Sequence, residues 1–235
     1  MRHAGHPAIR DRNDATAENR RVYSSLAVRG GQNGAVKSFA DWHTQAAAVA
    51  GMRERLPAQT IDRVSEAIEF AAAKHGDQQR PTGAPYLEHL LEALEVLVVG
   101  AGVTDTDVLA AAVLHDVVED TAVGNDELAE RFGPRVAELV GWVTIPEAGP
   151  GEDPADVKVA TLRQLAAAPK DAILVKLADR LSNVQTLRSL RAKRQRAYYA
   201  QTVRYIVPLA DTDPFFAAWY QDWQAAHADL GDAVG

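Results

Sequence analysis

The chain has 235 residues, of which 47% are hydrophobic, with a formal net charge of −7 and no cysteine. That length suits one domain with attached tails, or at most two small domains, and the apolar share allows a sizeable core. No apolar run reaches the roughly 18 residues of a membrane span, the missing cysteines exclude disulfides and thiolate zinc sites, and the lack of a basic patch argues against general nucleic-acid binding.

Residues 1 to about 35 mix Arg, Asp, Asn, Gly and Ser with few apolar side chains, so a flexible tail is expected there, with His3 and His6 as tail residues. The tail shows no apolar signal region, and a cytoplasmic location is the default expectation. A short helix is expected within 36–50, which places a tail at 1–50 and a folded domain at 51–235. Met52 offers an internal start site. From Gln59 the pattern is helical: Ile61, Val64, Ile68 and Ala71 recur at helical spacing until Gly76. The turn Arg80-Pro81-Thr82-Gly83-Ala84-Pro85 separates this helix from one over 86–99, stopped by Gly100 and Gly102. Thr104 or Asp105 caps a third helix, expected to run to about Val118. Asp126–Phe132 and Pro134–Trp142 follow, then a loop dense in proline and glycine from Pro146 to Pro154. Helices are expected at 155–167, 170–188 and 192–209, and Asp213-Pro214 opens a last one to about Ala228. Lys193, Arg194 and Arg196 read as a solvated helix face, and Trp219, Tyr220 and Trp223 as a packing or oligomer helix. With no paired strands and no internal repeat, the fold class is all-α, a multi-helix domain.

The sharpest chemical signal is His115-Asp116-Val117-Val118-Glu119-Asp120, directly after the apolar stretch Val108–Leu114. Ionisable side chains that follow a core-like run are costly unless they are paired or metal-bound. On one helix, His115 and Glu119 lie four apart, as do Asp116 and Asp120, which gathers them near one face. Imidazole with carboxylate suits Mn, Fe or Zn, but neighbours on one helix cannot encircle an ion. Further ligands must come from elsewhere, and His89 and Asp179 are the candidates. Asp179, Asn183 and Thr186 fall on one helical stripe with Lys176 close by, as a pocket wall requires. Alone, His89 reads as a core histidine and Asp179-Arg180 as a helix ion pair. Their joint occurrence in apolar settings favours a metal site.

Three blocks now resemble a known family: Arg80-x-Thr82-Gly83-x-Pro85-Tyr86-x-x-His89, then Leu114-His115-Asp116-Val117-Val118-Glu119-Asp120-Thr121, then Leu174-Val175-Lys176-Leu177-Ala178-Asp179-Arg180-Leu181-x-Asn183. In order and spacing they are similar to the hydrolase domain of the RelA/SpoT homologues, which degrade the alarmones ppGpp and pppGpp. The resemblance implies an HD-type helical fold with one Mn²⁺ held by His89, His115, Asp116 and Asp179. It implies that Glu119 and Asp120 position and deprotonate the attacking water, giving pyrophosphate and GDP or GTP. Arg80 would lie against the guanine, while Thr82, Lys176, Asn183 and Thr186 would line the rest of the nucleotide pocket. Pro81, Leu90, Ser182 and Gln185 depart from the residues usual at those places. The stretch after the third block is too short for a nucleotidyl-transferring domain, so a hydrolase-only protein is expected. Its partner would be the guanine nucleotide, with no nucleic acid and no membrane, and a homo-oligomer is compatible. Two alternatives stay open: an HD-type phosphatase of another nucleotide, such as the 2′-phosphate of NADPH, and an inactive nucleotide-binding regulatory domain.

Overall fold

The computed structural model describes residues 36–231. The expected tail before residue 36, with His3 and His6, lies outside them. Among the described residues the chain is helical, with one isolated bridge between Gln79 and Pro85. No helix is long and apolar enough to cross a membrane.

Helix α1 spans Gln45–Arg53 and starts where the Thr44 side chain accepts from the Ala47 amide. The preceding residues, expected to be partly helical and to belong with the tail, run without helix onto the body. Their backbone groups have side-chain partners instead. Gln185 accepts from the Phe39 amide at 2.8 Å and donates to the Phe39 carbonyl at 2.9 Å, and Glu95 accepts from the Trp42 amide at 3.0 Å. Phe39, Trp42 and Met52 are buried, so the packed body begins well before residue 51.

Helix α2 (Ala58–His75) buries Ile61, Val64, Ile68 and Ala71 and ends at Gly76, whose φ of 52° favours glycine. Helix α3 (Tyr86–Glu95) continues into a π turn, Val96–Gly100. At Gly100 a Cβ would stand 2.5 Å from the Phe215 ring, so the missing side chain admits that aromatic. Helix α4 (Thr106–Leu114) is capped by Asp105, which accepts from the Asp107 and Val108 amides. It does not run on to Val118. The His115 ring donates from Nδ1 to the Ala112 carbonyl at 2.8 Å, the acceptor that the Asp116 amide would need in a continuing helix. The chain turns there and resumes as α5 (Val117–Asp120).

Next come α6 (Asn125–Phe132), α7 (Pro134–Val143), α8 (Pro154–Gln164) and α9 (Lys170–Val184). The last stops short of 188, leaving Thr186 at the start of a 3₁₀ turn, Leu187–Ser189, and off the expected helical stripe. Helix α10 (Ala192–Tyr205) also stops early, because Pro208 has no N–H to donate, and a 3₁₀ segment follows at Val207–Thr212. Lys193, Arg194 and Arg196 on α10 are exposed. Helix α11 (Pro214–Ala226) is capped by Asp213, as its Asp-Pro start predicts.

Helix α9 is buried from Ala172 to Ser182 and α4 from Val108 to Leu114. Helix α4 is apolar nearly all round, as a central helix must be, whereas α9 buries Lys176, Asp179, Arg180 and Ser182 among its apolar residues. Helix α9 packs on α3, α4 and α7, which bring His89, His115 and Asp179 to one place. Helix α11 closes the other side: Tyr220 Oη donates to the Leu177 carbonyl at 2.9 Å and Trp223 Nε1 to the Val184 carbonyl at 3.1 Å. Fully burying side chains of this kind contributes about 1.5–3 kcal/mol each.

Candidate metal centre and active site

The turn after α4 aims His115 inward, α3 supplies His89 from its first turns, and α9 supplies Asp179 from its middle. His89 is 3% exposed and His115 1%. Their Nε2 atoms lie 3.1 Å apart. Asp116 Oδ2 is 3.4 Å from the first Nε2 and 3.1 Å from the second, and Asp179 Oδ1 is 3.4 and 3.6 Å from them. The ligand atoms of His89, His115 and Asp116 all fall within 4.8 Å of one another. Cations bound at about 2.1 Å separate neighbouring donor atoms by about 3.0 Å in an octahedron and about 3.4 Å in a tetrahedron, so the observed edges fit either.

The outer nitrogens fix which inner nitrogen can face a cation, because a neutral ring with hydrogen on Nδ1 has its lone pair on Nε2. His115 Nδ1 faces a carbonyl, which can only accept, so Nδ1 bears the hydrogen. His89 Nδ1 lies 2.8 Å from Ser182 Oγ, which itself donates to Glu92. Two lone pairs and two carboxylates facing one point demand positive charge. The electrostatics agree. Burial lowers the pKa of His115, yet the charges of Asp116 and Asp179 outweigh it and hold it well above the ordinary imidazole value. Burial pushes the Asp116 carboxyl up, but His115 and His89 outweigh it and hold it well below the usual range.

Asp179 is fixed from behind. Lys176 Nζ contacts its Oδ2 at 2.8 Å, and Asn183 Nδ2 donates to its Oδ1 at 2.7 Å. Both side chains, expected to line the nucleotide pocket, contact a carboxylate of the centre. Lys176 is buried and also reaches the Val143 carbonyl at 3.4 Å.

Arg80 directs its N–H edge at the Glu92 carboxylate at 2.9 Å and at the Ser182 carbonyl at 3.4 Å. The faces of its guanidinium remain for stacking. Thr82 sits half-buried in the turn closed by the Arg80 amide on the Ala84 carbonyl.

Glu119 and Asp120 are exposed. Glu119 accepts from the Ile145 amide at 3.0 Å and Asp120 from Gln78 Nε2 at 3.2 Å. Partial burial raises the Glu119 pKa; the Ile145 amide lowers it and the charge of Asp116 raises it further, leaving it above the ordinary value. Tyr86 donates to Asp116 and stands beside Asp120, while its ring stacks on His75 at 4.7 Å. Burial and then the charge of Asp116 push its pKa far up, so it stays a donor. Tyr86 stood in the first sequence block without a role. Ser182 and Glu92 had none either, because their partners lie tens of residues away.

A cleft of about 1070 Å³ opens between α7, α8 and the loop that joins them. Glu138, Glu147, Glu152, Asp153 and Asp156 line it without a lysine or arginine, and none of the four candidate ligands does. Those walls disfavour a phosphate anion.

The sequence model of the family described as HD domain matches residues 67–215. A human protein named guanosine-3′,5′-bis(diphosphate) 3′-pyrophosphohydrolase is 42% identical over 124 residues, which is 52% of this chain and 68% of that protein. The chain belongs to the HD-domain family, in its RelA/SpoT-homologue branch. An Aquifex aeolicus protein named guanosine-3′,5′-bis(diphosphate) 3′-pyrophosphohydrolase is 39% identical over 154 residues, 65% of this HD-domain chain. The HD-domain chain spans only 22% of that relative's length. A solved structure of a metazoan orthologue of SpoT, described as hydrolysing ppGpp with a role in starvation responses, superposes with a TM-score of 0.64 at 30% identity, covering 70% of this chain and 95% of that one. An HD domain implies a divalent metal, and the His89, His115 and Asp116 group is able to hold one.

Proposed function

We propose that this HD domain removes the 3′-diphosphate of ppGpp and pppGpp as pyrophosphate, leaving GDP or GTP, with Mn²⁺ held by His89, His115, Asp116 and Asp179. The observation that carries this reading is the pair of imidazole Nε2 atoms facing two carboxylates at 3.1–3.6 Å, in a chain whose relatives bear that activity in their names. A divalent cation there supplies Lewis acidity toward water and a phosphoryl oxygen. Manganese accepts this mixed imidazole and carboxylate set and also suits phosphate oxygens.

The chain's own groups do the rest. Asp120 and Glu119, both exposed, orient the attacking water and take its proton. The raised pKa of Glu119 brings it closer to neutral pH, where a base works best. Tyr86 donates its one hydroxyl hydrogen to Asp116 and stands beside Asp120, so its ring lies between a candidate ligand and a water-handling carboxylate. Water adds a hydroxyl as the ester to the diphosphate breaks, and the ribose keeps its 3′ oxygen as a hydroxyl. A guanidinium face of Arg80 stacks on the base, and Thr82 and Thr186 line its surroundings. Lys176 and Asn183 hold Asp179 and, beside it, line the nucleotide pocket. A nucleotide substrate puts the reaction in the cytoplasm.

With the N–H edge of Arg80 paired to Glu92, recognition of the base by that edge is weak, and the substrate test therefore spans base types. Chelated protein is resupplied with Mn²⁺ and given ppGpp, pppGpp and NADPH in parallel, with pyrophosphate and orthophosphate measured separately. The proposal expects pyrophosphate from the two alarmones and none without the cation. Orthophosphate from NADPH alone would replace it with the phosphatase reading, and tight ppGpp binding without turnover in excess Mn²⁺ would replace it with a regulatory domain.

A further inference from the structure

Behind His89, on the face away from the cation group, runs a buried polar chain that the reaction itself does not use. Ser182, fully buried on α9, lies 2.8 Å from His89 Nδ1 and 2.5 Å from Glu92 Oε2. Glu92, one turn after His89 on α3, is 7% exposed and receives Arg80 on both oxygens at 2.9 Å. Gln185, one turn after Ser182 and just past the end of α9, donates to Glu92 Oε2 at 3.1 Å and clasps the Phe39 backbone with the rest of its amide. The assembly ties the first described segment, the Arg80 turn, α3 and α9 to one imidazole.

Counting hydrogens gives its direction. Paired with Arg80, Glu92 is a carboxylate and can only accept. The single hydroxyl hydrogen of Ser182 therefore points to Glu92. What remains on Ser182 Oγ facing His89 is a lone pair, which requires the hydrogen of His89 on Nδ1. In the neutral ring Nε2 is then bare, and it is aimed at His115 Nε2, Asp116 and Asp179.

We infer that Ser182 and Glu92 are positioning residues that lock His89 in its Nδ1–H tautomer and so present Nε2 to the cation. The inference rests on the proposal that these four side chains hold a metal. Carboxylates set behind ligand histidines fix ring orientation and raise donor strength, and losing such a partner typically weakens metal binding about 10–100-fold. Here a serine hydroxyl stands between carboxylate and imidazole, and Arg80 stabilises the buried charge of Glu92. Without Arg80 that charge would be costly.

The test compares the full chain with Ser182→Ala, Ser182→Thr and Ser182→Val. Nitrogen-15 spectra of the metal-free protein report which nitrogen of His89 carries hydrogen, and Mn²⁺ titration reports affinity. Wild type and Ser182→Thr are expected to show His89 protonated at Nδ1. Ser182→Ala and Ser182→Val are expected to gain the Nε2–H form and to bind Mn²⁺ about 10–100-fold more weakly. Threonine and valine share a shape, so a packing fault at this fully buried site strikes both and cancels in their comparison. An unchanged tautomer and affinity in Ser182→Ala, or equal losses in the threonine and valine variants, would overturn the inference. A wild-type protein that keeps the Nδ1–H form yet binds no Mn²⁺ would support the tautomer assignment and overturn the metal reading.

Discussion

Lys176 Nζ grips Asp179 Oδ2 at 2.8 Å and thereby leaves Oδ1 turned toward both imidazoles. The two residues lie one turn apart on the most buried helix of the fold, and each needs the other. Replacing Lys176 by methionine strands a buried carboxylate, and the expected loss is about 3–5 kcal/mol in urea unfolding of the metal-free protein. The double variant Lys176→Met/Asp179→Leu should regain much of that stability while losing Mn²⁺ binding. Burial raises the Asp179 carboxyl, but Lys176 and then the histidines hold it well below its usual 3.8. Its contribution to stability is therefore complete above the ordinary carboxylate range and fades only as pH falls through the lower folded value.

Asp120 stands outside the four candidate ligands, with Gln78 on Oδ2 and Tyr86 beside it. Asp120→Asn should lower kcat by about 10²–10⁴-fold while Mn²⁺ still binds. Tyr86→Phe removes one hydrogen bond to charged acceptors, of the kind worth about 1.5–3 kcal/mol, and should cost about 10–100-fold in kcat at unchanged fold. Steady-state kinetics beside a metal titration separates the two effects, and loss of Mn²⁺ in Asp120→Asn would make Asp120 a ligand instead.

The Ile145 amide is a lever on the pH dependence. Partial burial raises Glu119, and the amide pulls it down. A water-activating carboxylate works when deprotonated, so activity falls as pH drops through its pKa. Ile145→Pro deletes the donor, the pKa of Glu119 rises, and the acid limb of the pH–rate profile should move to higher pH. A limb that stays in place would show that Glu119 does not control it.

Gly100 and Phe215 test the packing that closes the fold. An added Cβ at Gly100 would stand 2.5 Å from the Phe215 ring. Gly100→Ala should therefore lower stability by about 1–3 kcal/mol, read as a lower unfolding midpoint, with Mn²⁺ affinity unchanged. Pairing it with Phe215→Leu should return part of the loss.

The features legible in the sequence were those that repeat locally. The stripe Ile61, Val64, Ile68 announced α2, and Asp213-Pro214 announced α11. The candidate ligands showed because charge interrupts apolar runs at His115 and Asp179. The helix over 104–118 was overextended because no periodicity reveals that the His115 ring takes the Ala112 carbonyl. The helix over 192–209 was overextended by passing over Pro208, which does carry that signal. The charge of Lys176 is visible in the sequence, but its burial against Asp179 is not. Ser182 and Glu92 went unread because the bond between them joins positions 90 apart. Residues 36–44 carried Phe39 and Trp42 but no helical period, so their place on the body was hidden until Gln185 and Glu95 were seen to hold their backbone.

The most direct measurement is the number of Mn²⁺ ions retained per chain after chelation, resupply and desalting, read by electron paramagnetic resonance in wild type and in His115→Ala. The account predicts one tightly held ion in the wild type and none in the variant, with pyrophosphate release from ppGpp following the same pattern. Equal retention in both, or none in either, would contradict it.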